Sequence, residues 1–229
     1  MSDKLNNSSV TGAACTAAGA VCRYADELLS LREQVTELSQ QVFSDALTGL
    51  YNYRYFNQTL PLEIERTYRS GQPMALILLD IDHFKQFNDQ WGHELGNQAL
   101  AHVAKLITIA IRKLDMACRF GGEEFVVILP NTDLAQAVGV AERVRAMVAA
   151  TPLETMAQAI PLTISLGVDE YRSQQMEGPE DFLRRVDTWL YQAKNAGRNR
   201  VAAPDLDAYQ VAISADEKEA LFDLWSESP

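Results

Sequence analysis

"RFGGEEFVVILP", residues 119–130, decides the fold. Two glycines, Gly121 and Gly122, stand before two glutamates, and an apolar run follows at once. "EEFVVILP" predicts a strand, and "MACRF" (116–120) ahead of the glycines predicts another. Gly121 and Gly122 then join the two as a tight hairpin, a turn that tolerates positive φ. Glu123 and Glu124 are left at the mouth of a strand that looks buried.

Outward from this hairpin the elements alternate. "PMALILLDI" (73–81) is a short, continuous apolar run, the pattern of a strand covered on both faces. It ends in Asp80, with Asp82 just beyond. Helical material follows, mainly over 96–114. After the hairpin comes a helical apolar period over 132–150, with Asp133 near its start, and then a strand, "LTISLGV" (162–168). The order is β-α-β-β-α-β, the ferredoxin-like split unit. In that topology the first and third strands lie antiparallel in the middle of the sheet. Asp80 therefore ends beside Glu123 and Glu124. Flanking this core, a helix is expected over 54–69, stopped by Ser70 and Gly71. Another is expected over 179–197, with Pro179 near its start and Gly197 as its stop.

The chain has 229 residues, 47 % of them hydrophobic, which suits one core with extensions. Its formal net charge is −11, from 20 basic and 31 acidic residues. That balance argues against broad nucleic-acid binding. A phosphate-bearing ligand would need locally placed Lys and Arg or a metal ion. No apolar stretch approaches a membrane span, and the N-terminus lacks a signal-peptide pattern. Cys15, Cys22 and Cys118 have no metal-ligand spacing and read as free thiols of a reducing cytoplasm. Residues 1–20 read as a poorly ordered leader. Val21, Tyr24, Leu28, Leu31, Val35, Leu38 and Val42 alternate in gaps of three and four, the seam of a parallel coiled-coil stalk over 21–44. A lone amphipathic helix is the other reading of that seam. No sensory domain fits within 1–44, so input is expected from elsewhere. The tail, 204–229, contains "DEKEALFDLWS", which suits a short amphipathic helix packed back or held by a partner.

Clustered carboxylates repel one another. A raised pKa with a shared proton would relieve that, and so would a hard divalent cation with oxygen ligands. A merely solvated sheet edge is the plain alternative. Lys85 follows the Asp80 edge closely, and backbone amides at a helix start near Phe84 and Lys85 suit phosphate oxygens. Lys194 and Arg198, four apart at the end of a helix, are expected to share a face. The GxxxxGK[ST] phosphate loop is absent.

Five stretches together carry a resemblance: "DALTGLYN" (45–52), "DIDHFKQFND" with "GHELG" (80–96), "RKLDMACRFGGEEF" (112–125), "TISLGV" (163–168) and "YQAKNAGRN" (191–199). In this order and spacing the chain resembles the GGDEF-domain diguanylate cyclases, in the GGEEF spelling. The resemblance implies an α+β, nucleotidyl-cyclase-like and polymerase-palm-like catalytic domain over 45–203. It implies condensation of two GTP into cyclic di-GMP with release of two pyrophosphates, in a homodimer whose domains meet face to face. A catalytically weak cyclic di-GMP receptor or scaffold is the alternative.

By position, the resemblance makes Asp80, the Ile81 carbonyl and Glu123 ligands of Mg²⁺ or Mn²⁺, with Glu124 in support. Glu123 also corresponds to the acceptor of the 3′-hydroxyl proton, and Lys85 to a stabiliser of the transition-state phosphate. Lys194 and Arg198 correspond to the β/γ-phosphate clamp. Gly121 and Gly122 let the backbone approach the nucleotide. Asn88 and His93 match base-side or ribose-side positions, and His93 reads equally well as a packed histidine. Asn97 departs from the family's usual Asp. A carboxylate accepts from both guanine N1–H and the exocyclic amine, whereas an amide offers one acceptor and a donor. Arg112 and Asp115 match an inhibitory RxxD site for cyclic di-GMP, and Arg143 matches an arginine that completes it from a neighbouring domain. A regulatory protein acting on the stalk would be a further partner, in the cytoplasm.

Overall fold

A computed structural model describes residues 29–32 and 43–205. Residues 29–32 are helical and belong to a separate unit, Met1–Val42. Of the expected stalk, residues 21–28 and 33–42 lie outside the described residues, as do the leader and the tail from 206 onward.

From residue 43 onward the chain builds a six-stranded sheet. In chain order its elements are β1 (Tyr51–Asn52), α1 (Tyr53–Ser70), β2 (Met74–Ile81), α2 (Phe84–Trp91), α3 (His93–Ala110), β3 (Met116–Arg119), β4 (Glu124–Leu129) and α4 (Leu134–Ala150). Then come a small ribbon of β5 (Leu153–Glu154) and β6 (Ala159–Ile160), β7 (Ile164–Tyr171), α5 (Pro179–Asn195) and β8 (Val201–Ala202). The sheet order is β1-β3-β4-β2-β7-β8, and β2 lies antiparallel to both β4 and β7. This is the expected split βαββαβ core, with β2 and β4 adjacent in its middle.

Every residue of β2 and β7 is buried, because both faces of the sheet are covered. The two-residue period of a strand sorts the side chains between two cores. Ala75, Ile77, Leu79 and Ile81 join Phe125, Val127, Leu166 and Val168 in the core that includes residues of α2, α3 and α4. Met74, Leu76 and Leu78 join Val126, Ile128 and residues of α1 and α5 in the other. Asp80, Glu124, Ser165 and Gly167 follow the second phase, so they face α5. The same alternation assigns the adjacent acids near the end of β7. Asp169 turns to α5, where it meets Arg185 and Trp189 at 3.1 Å each. Glu170 turns to α4, where it accepts from the Leu134 amide at 2.5 Å and pairs with Arg172.

Several expectations about local structure change. The helix expected mainly over 96–114 begins earlier, at His93, and a separate short helix precedes it; the two part at Gly92, whose φ of 82° and bond to the Asn88 carbonyl close the first. The second stops at Ala110, because Ile111 is extended. The strand expected over 162–168 runs on to Tyr171, since its two acids find partners on opposite faces. Gly121 and Gly122 are not among the positive-φ glycines. The helix carrying Lys194 stops at Asn195, so Arg198 does not share a helical face with it.

Candidate active site

The carboxylate edge forms where β2 and β4 meet. Asp80 stands opposite Glu124 in register, and the Ile81 amide donates to the Glu123 carbonyl at 3.3 Å. The helix over the same face supplies the balancing charge: Lys194 Nζ lies 2.9 Å from Asp80 Oδ2. Burial raises the pKa of Asp80 despite the nearby Lys194 and Arg198 charges. Burial, and then the charge of Asp80, raise those of Glu123 and Glu124. Burial is the first cause for all three carboxyls, and neighbouring carboxylate charge adds to it at each; a bound cation would offset both effects.

Among the described residues no three His, Cys, Asp or Glu side chains already converge on a single metal position. The donors at this edge are all hard oxygens: Asp80, Glu123, Glu124 and the Ile81 carbonyl. That set fits an ion such as Mg²⁺, which takes few protein ligands and completes its shell with phosphate and water oxygens.

The hairpin is tied down on one side and open on the other. The Phe120 and Gly121 amides both donate to the Glu124 carbonyl, at 2.8 and 3.2 Å. A Cβ at Gly121 would stand 2.7 Å from Glu124 Oε2, so this glycine makes room for a carboxylate. A Cβ at Gly122 would meet nothing within 4 Å, and Gly122 is exposed. Arg119 donates to the Gly122 carbonyl at 2.8 Å and pairs with Asp45 at 3.2 Å. Asp45 also accepts from the Thr48 hydroxyl and amide. Burial opposes its ionisation, but these partners keep its pKa below the ordinary value. The turn at 45–50 is thus latched to the hairpin. Residue types alone gave no sign of this link, although both ends lie in quoted motifs.

Beyond Asp82 the chain turns through His83, a non-glycine residue at φ 58°, into α2. Phe84 is buried, Lys85 is exposed, and the first amides of α2 have no place in its own ladder. Asn88 lies further along the same helix. Its buried Oδ1 has no partner among the described residues, and it packs so closely on Gly96 that a Cβ there would overlap it. Asn97 is next in sequence and exposed, as is His93 at the start of α3. An exposed His93 is not a packed core histidine. Arg198 is exposed in the loop after α5 at φ 61°.

The RxxD residues form a separate group at the C-terminal end of α3. The Arg112 amide donates to Asp115 Oδ2 at 2.7 Å, and the Asp115 amide returns a bond to the Arg112 carbonyl at 3.0 Å. Burial raises the Asp115 pKa, against the pull of the Arg112 amide and the Arg112 and Arg143 charges. Arg143 Nε caps the Ala110 carbonyl at 2.8 Å. It therefore stands beside the RxxD turn of its own chain. Cys118 is buried in the sheet, which pushes its thiol up to about 12 and leaves it unreactive.

Comparison with known proteins agrees with this geometry. Residues 42–200 match the family described as diguanylate cyclase, GGDEF domain. The chain is 41 % identical over 182 residues to the response regulator PleD of Caulobacter vibrioides, a match covering 78 % of this chain and 39 % of that protein. Its structure resembles the coiled coil and GGDEF domain of DgcB from Caulobacter crescentus, crystallised with c-di-GMP. The TM-score is 0.72 at 32 % identity, over 79 % of this chain and 95 % of that one. It also resembles the diguanylate cyclase SiaD of Pseudomonas aeruginosa, solved in complex with its activator SiaC. There the TM-score is 0.71 at 37 % identity, over 79 % of this chain and 69 % of that one. With its split βαββαβ core and GGEEF hairpin, the chain belongs to the diguanylate cyclase GGDEF-domain family.

Proposed function

We propose that this protein is a diguanylate cyclase. In each of two condensation steps the 3′-hydroxyl of one guanosine nucleotide attacks the α-phosphorus of the other. A proton leaves the hydroxyl, a phosphodiester forms, and pyrophosphate departs; the product is cyclic di-GMP. The observation that carries this reading is the pairing of a carboxylate edge, buried at Asp80 and half-buried at Glu123 and Glu124, with Lys194 and the nearby charge of Arg198. A Mg²⁺ or Mn²⁺ ion held by Asp80, Glu123 and the Ile81 carbonyl, with Glu124 in support, would supply Lewis-acid activation at the reacting phosphate.

The chain's own groups do the rest. Glu123 accepts the hydroxyl proton, a role that its raised pKa suits. Lys194 and Arg198 grip the β- and γ-phosphates, and Lys85 with the amides at Phe84 and Lys85 stabilises charge at the reacting phosphate. Gly122 leaves the nucleotide an unobstructed approach. Asn88, His93 and Asn97 line the base and ribose side, where the unpartnered Asn88 Oδ1 awaits a donor.

Each domain holds one GTP, so two chains act together. The heptad seam over 21–44 raises their effective concentration, and a protein that stabilises or re-registers this stalk sets the rate. Product binds at Arg112 and Asp115, with Arg143 contributing, and restrains turnover. The catalytic domain spans 45–203, and 204–229 is an extension. The protein acts in the cytoplasm; no helix among the described residues is long and apolar enough to cross a membrane.

The test is incubation of the purified protein with GTP and Mg²⁺ across a dilution series, with products resolved by chromatography. Cyclic di-GMP and pyrophosphate in a one-to-two ratio, with a rate per chain that falls on dilution, are expected. No product together with tight cyclic di-GMP binding would identify a receptor instead.

A further inference from the structure

Asp82 lies two residues beyond Asp80 and faces the same side, which invites its assignment as another metal ligand. Its contacts point elsewhere. Asp82 Oδ1 accepts from the Ser165 hydroxyl at 2.6 Å. Oδ2 accepts from the Thr163 hydroxyl at 2.7 Å and from the Asn199 amide at 3.0 Å. The Asp82 amide donates to the Thr163 carbonyl at 2.9 Å. Both carboxylate oxygens are thus occupied, and the residue is buried.

The Asn199 bond matters most, because it holds an unusual loop. Gly197, Arg198 and Asn199 have φ values of 114°, 61° and 44° in succession. Two non-glycine residues in the left-handed region persist only where their surroundings over-determine them. Arg145 Nη1 holds the Asn199 side chain at 3.0 Å, and the Arg198 amide reaches the Ala193 carbonyl at 3.1 Å. Asp82 is the contact that ties this loop to the end of β2. One carboxylate therefore sets the spacing between the edge at Asp80 and the guanidinium of Arg198.

We propose that Asp82 is a positioning residue for the phosphate clamp, acting through the Asn199 amide and not through a metal. The inference rests on the diguanylate cyclase reading for its kinetic consequence only. Asp82→Asn and Asp82→Ala separate the two roles. An amide keeps one acceptor for the Asn199 N–H, and its NH₂ can donate to the Ser165 or Thr163 hydroxyl, which can rotate to accept. Asp82→Asn should therefore retain turnover within several-fold and keep the preference for GTP over GMP. Asp82→Ala should raise KM for GTP by about tenfold or more, because a loop released from β2 no longer holds the clamp in place. Its GMP affinity should stay unchanged, because GMP does not reach the clamp.

Amide hydrogen exchange at Asn199, measured without nucleotide or metal, tests the hold independently of catalysis. Protection in wild type and Asp82→Asn, and its loss in Asp82→Ala, is expected. Exchange at Asn199 that is equally slow in Asp82→Ala overturns the proposal. So does an Asp82→Asn variant that loses activity and is rescued by raised Mg²⁺, which would mark a metal ligand. If Asp82→Ala fails to fold, Asp82→Asn decides by the same two readouts. A wild-type protein that makes no cyclic di-GMP would overturn the proposed function but leave the exchange result to judge Asp82.

Discussion

Replacing Gly167 by alanine would test whether the seat of α5 on the sheet governs the site. Gly167 faces α5, the helix that carries Lys194. A Cβ there would stand 2.5 Å from the Val186 carbonyl oxygen and 2.9 Å from Leu190 Cα, and would also overlap the Leu190 amide nitrogen. These are backbone atoms, so no side chain can rotate away. Ordinary contact begins near 3.4 Å, so α5 must lift by about 1 Å. Overpacking of this kind costs about 1–3 kcal/mol, which lowers Tm by roughly 2–12 °C in a protein of this size. The same lift stretches the 2.9 Å contact between Lys194 and Asp80 beyond hydrogen-bond range. A misplacement on the order of 1 Å at a reacting centre can lower the rate about 100-fold. Thermal unfolding and the initial rate of cyclic di-GMP formation should therefore fall together. A Gly167→Ala protein that melts and turns over like wild type would refute the reasoning, because the tight seat would then be absent in solution.

Glu123→Gln should abolish product formation. Burial and the Asp80 charge raise the pKa of Glu123, so the stability it contributes is full below the ordinary carboxylate range and is lost as pH rises through the raised value. The metal-free variant should accordingly melt no lower than wild type at neutral pH, with a smaller gain on adding Mg²⁺; scanning fluorimetry decides, and a lower metal-free Tm contradicts it. Gly122→Ala should leave Tm unchanged, since its Cβ meets nothing, yet raise KM for GTP by about tenfold; an unchanged KM would place the nucleotide elsewhere. Arg112→Ala should weaken cyclic di-GMP binding about tenfold or more by calorimetry and remove the early plateau in progress curves; identical plateaus would remove the RxxD turn from feedback. Asn97→Asp should tighten GTP by about 1.5–3 kcal/mol and sharpen its preference over ATP in competition, whereas unchanged selectivity would show that residue 97 does not read the base.

The sheet was legible because its signals are periodic. "PMALILLDI" and "EEFVVILP" are continuous apolar runs, and a strand covered on both faces requires that pattern. Topology then brought Asp80 and Glu124 together across forty-four positions, and the register pairs them directly. What stayed hidden depends on pairing that no period encodes. β7 continues past Val168 through two acids because Asp169 meets Arg185 and Glu170 meets the start of α4. Local spacing read Lys194 and Arg198 as helical neighbours, but α5 stops at Asn195. The Arg119–Asp45 latch joins residues seventy-four apart and follows no hydrophobic pattern. At Gly121 the glycine is required by a side-chain contact with Glu124, not by a positive φ, a need that the turn pattern does not encode.

The pair formed by Asp80 and Lys194 links binding to both halves of the site. In this fold the two neutralise each other at 2.9 Å. The proposed function gives each a different final partner: Asp80 a divalent cation and Lys194 the terminal phosphates of GTP. Asp80 can turn fully to a cation only as it leaves Lys194, and a half-buried ammonium that loses its counter-charge is better placed with another. The incoming triphosphate provides it. Conversely, Lys194 that moves to phosphate leaves Asp80 beside Glu123 and Glu124, where repulsion is strongest without a cation. The disruption is common to both events, so whichever ligand binds first bears it and the second does not. Cation and nucleotide must then favour each other's binding by the same factor, since the coupling between two ligands is reciprocal. A site with separate, unpaired Asp80 and Lys194 would lack this source of coupling, which makes the ion pair a guard against binding either ligand without the other.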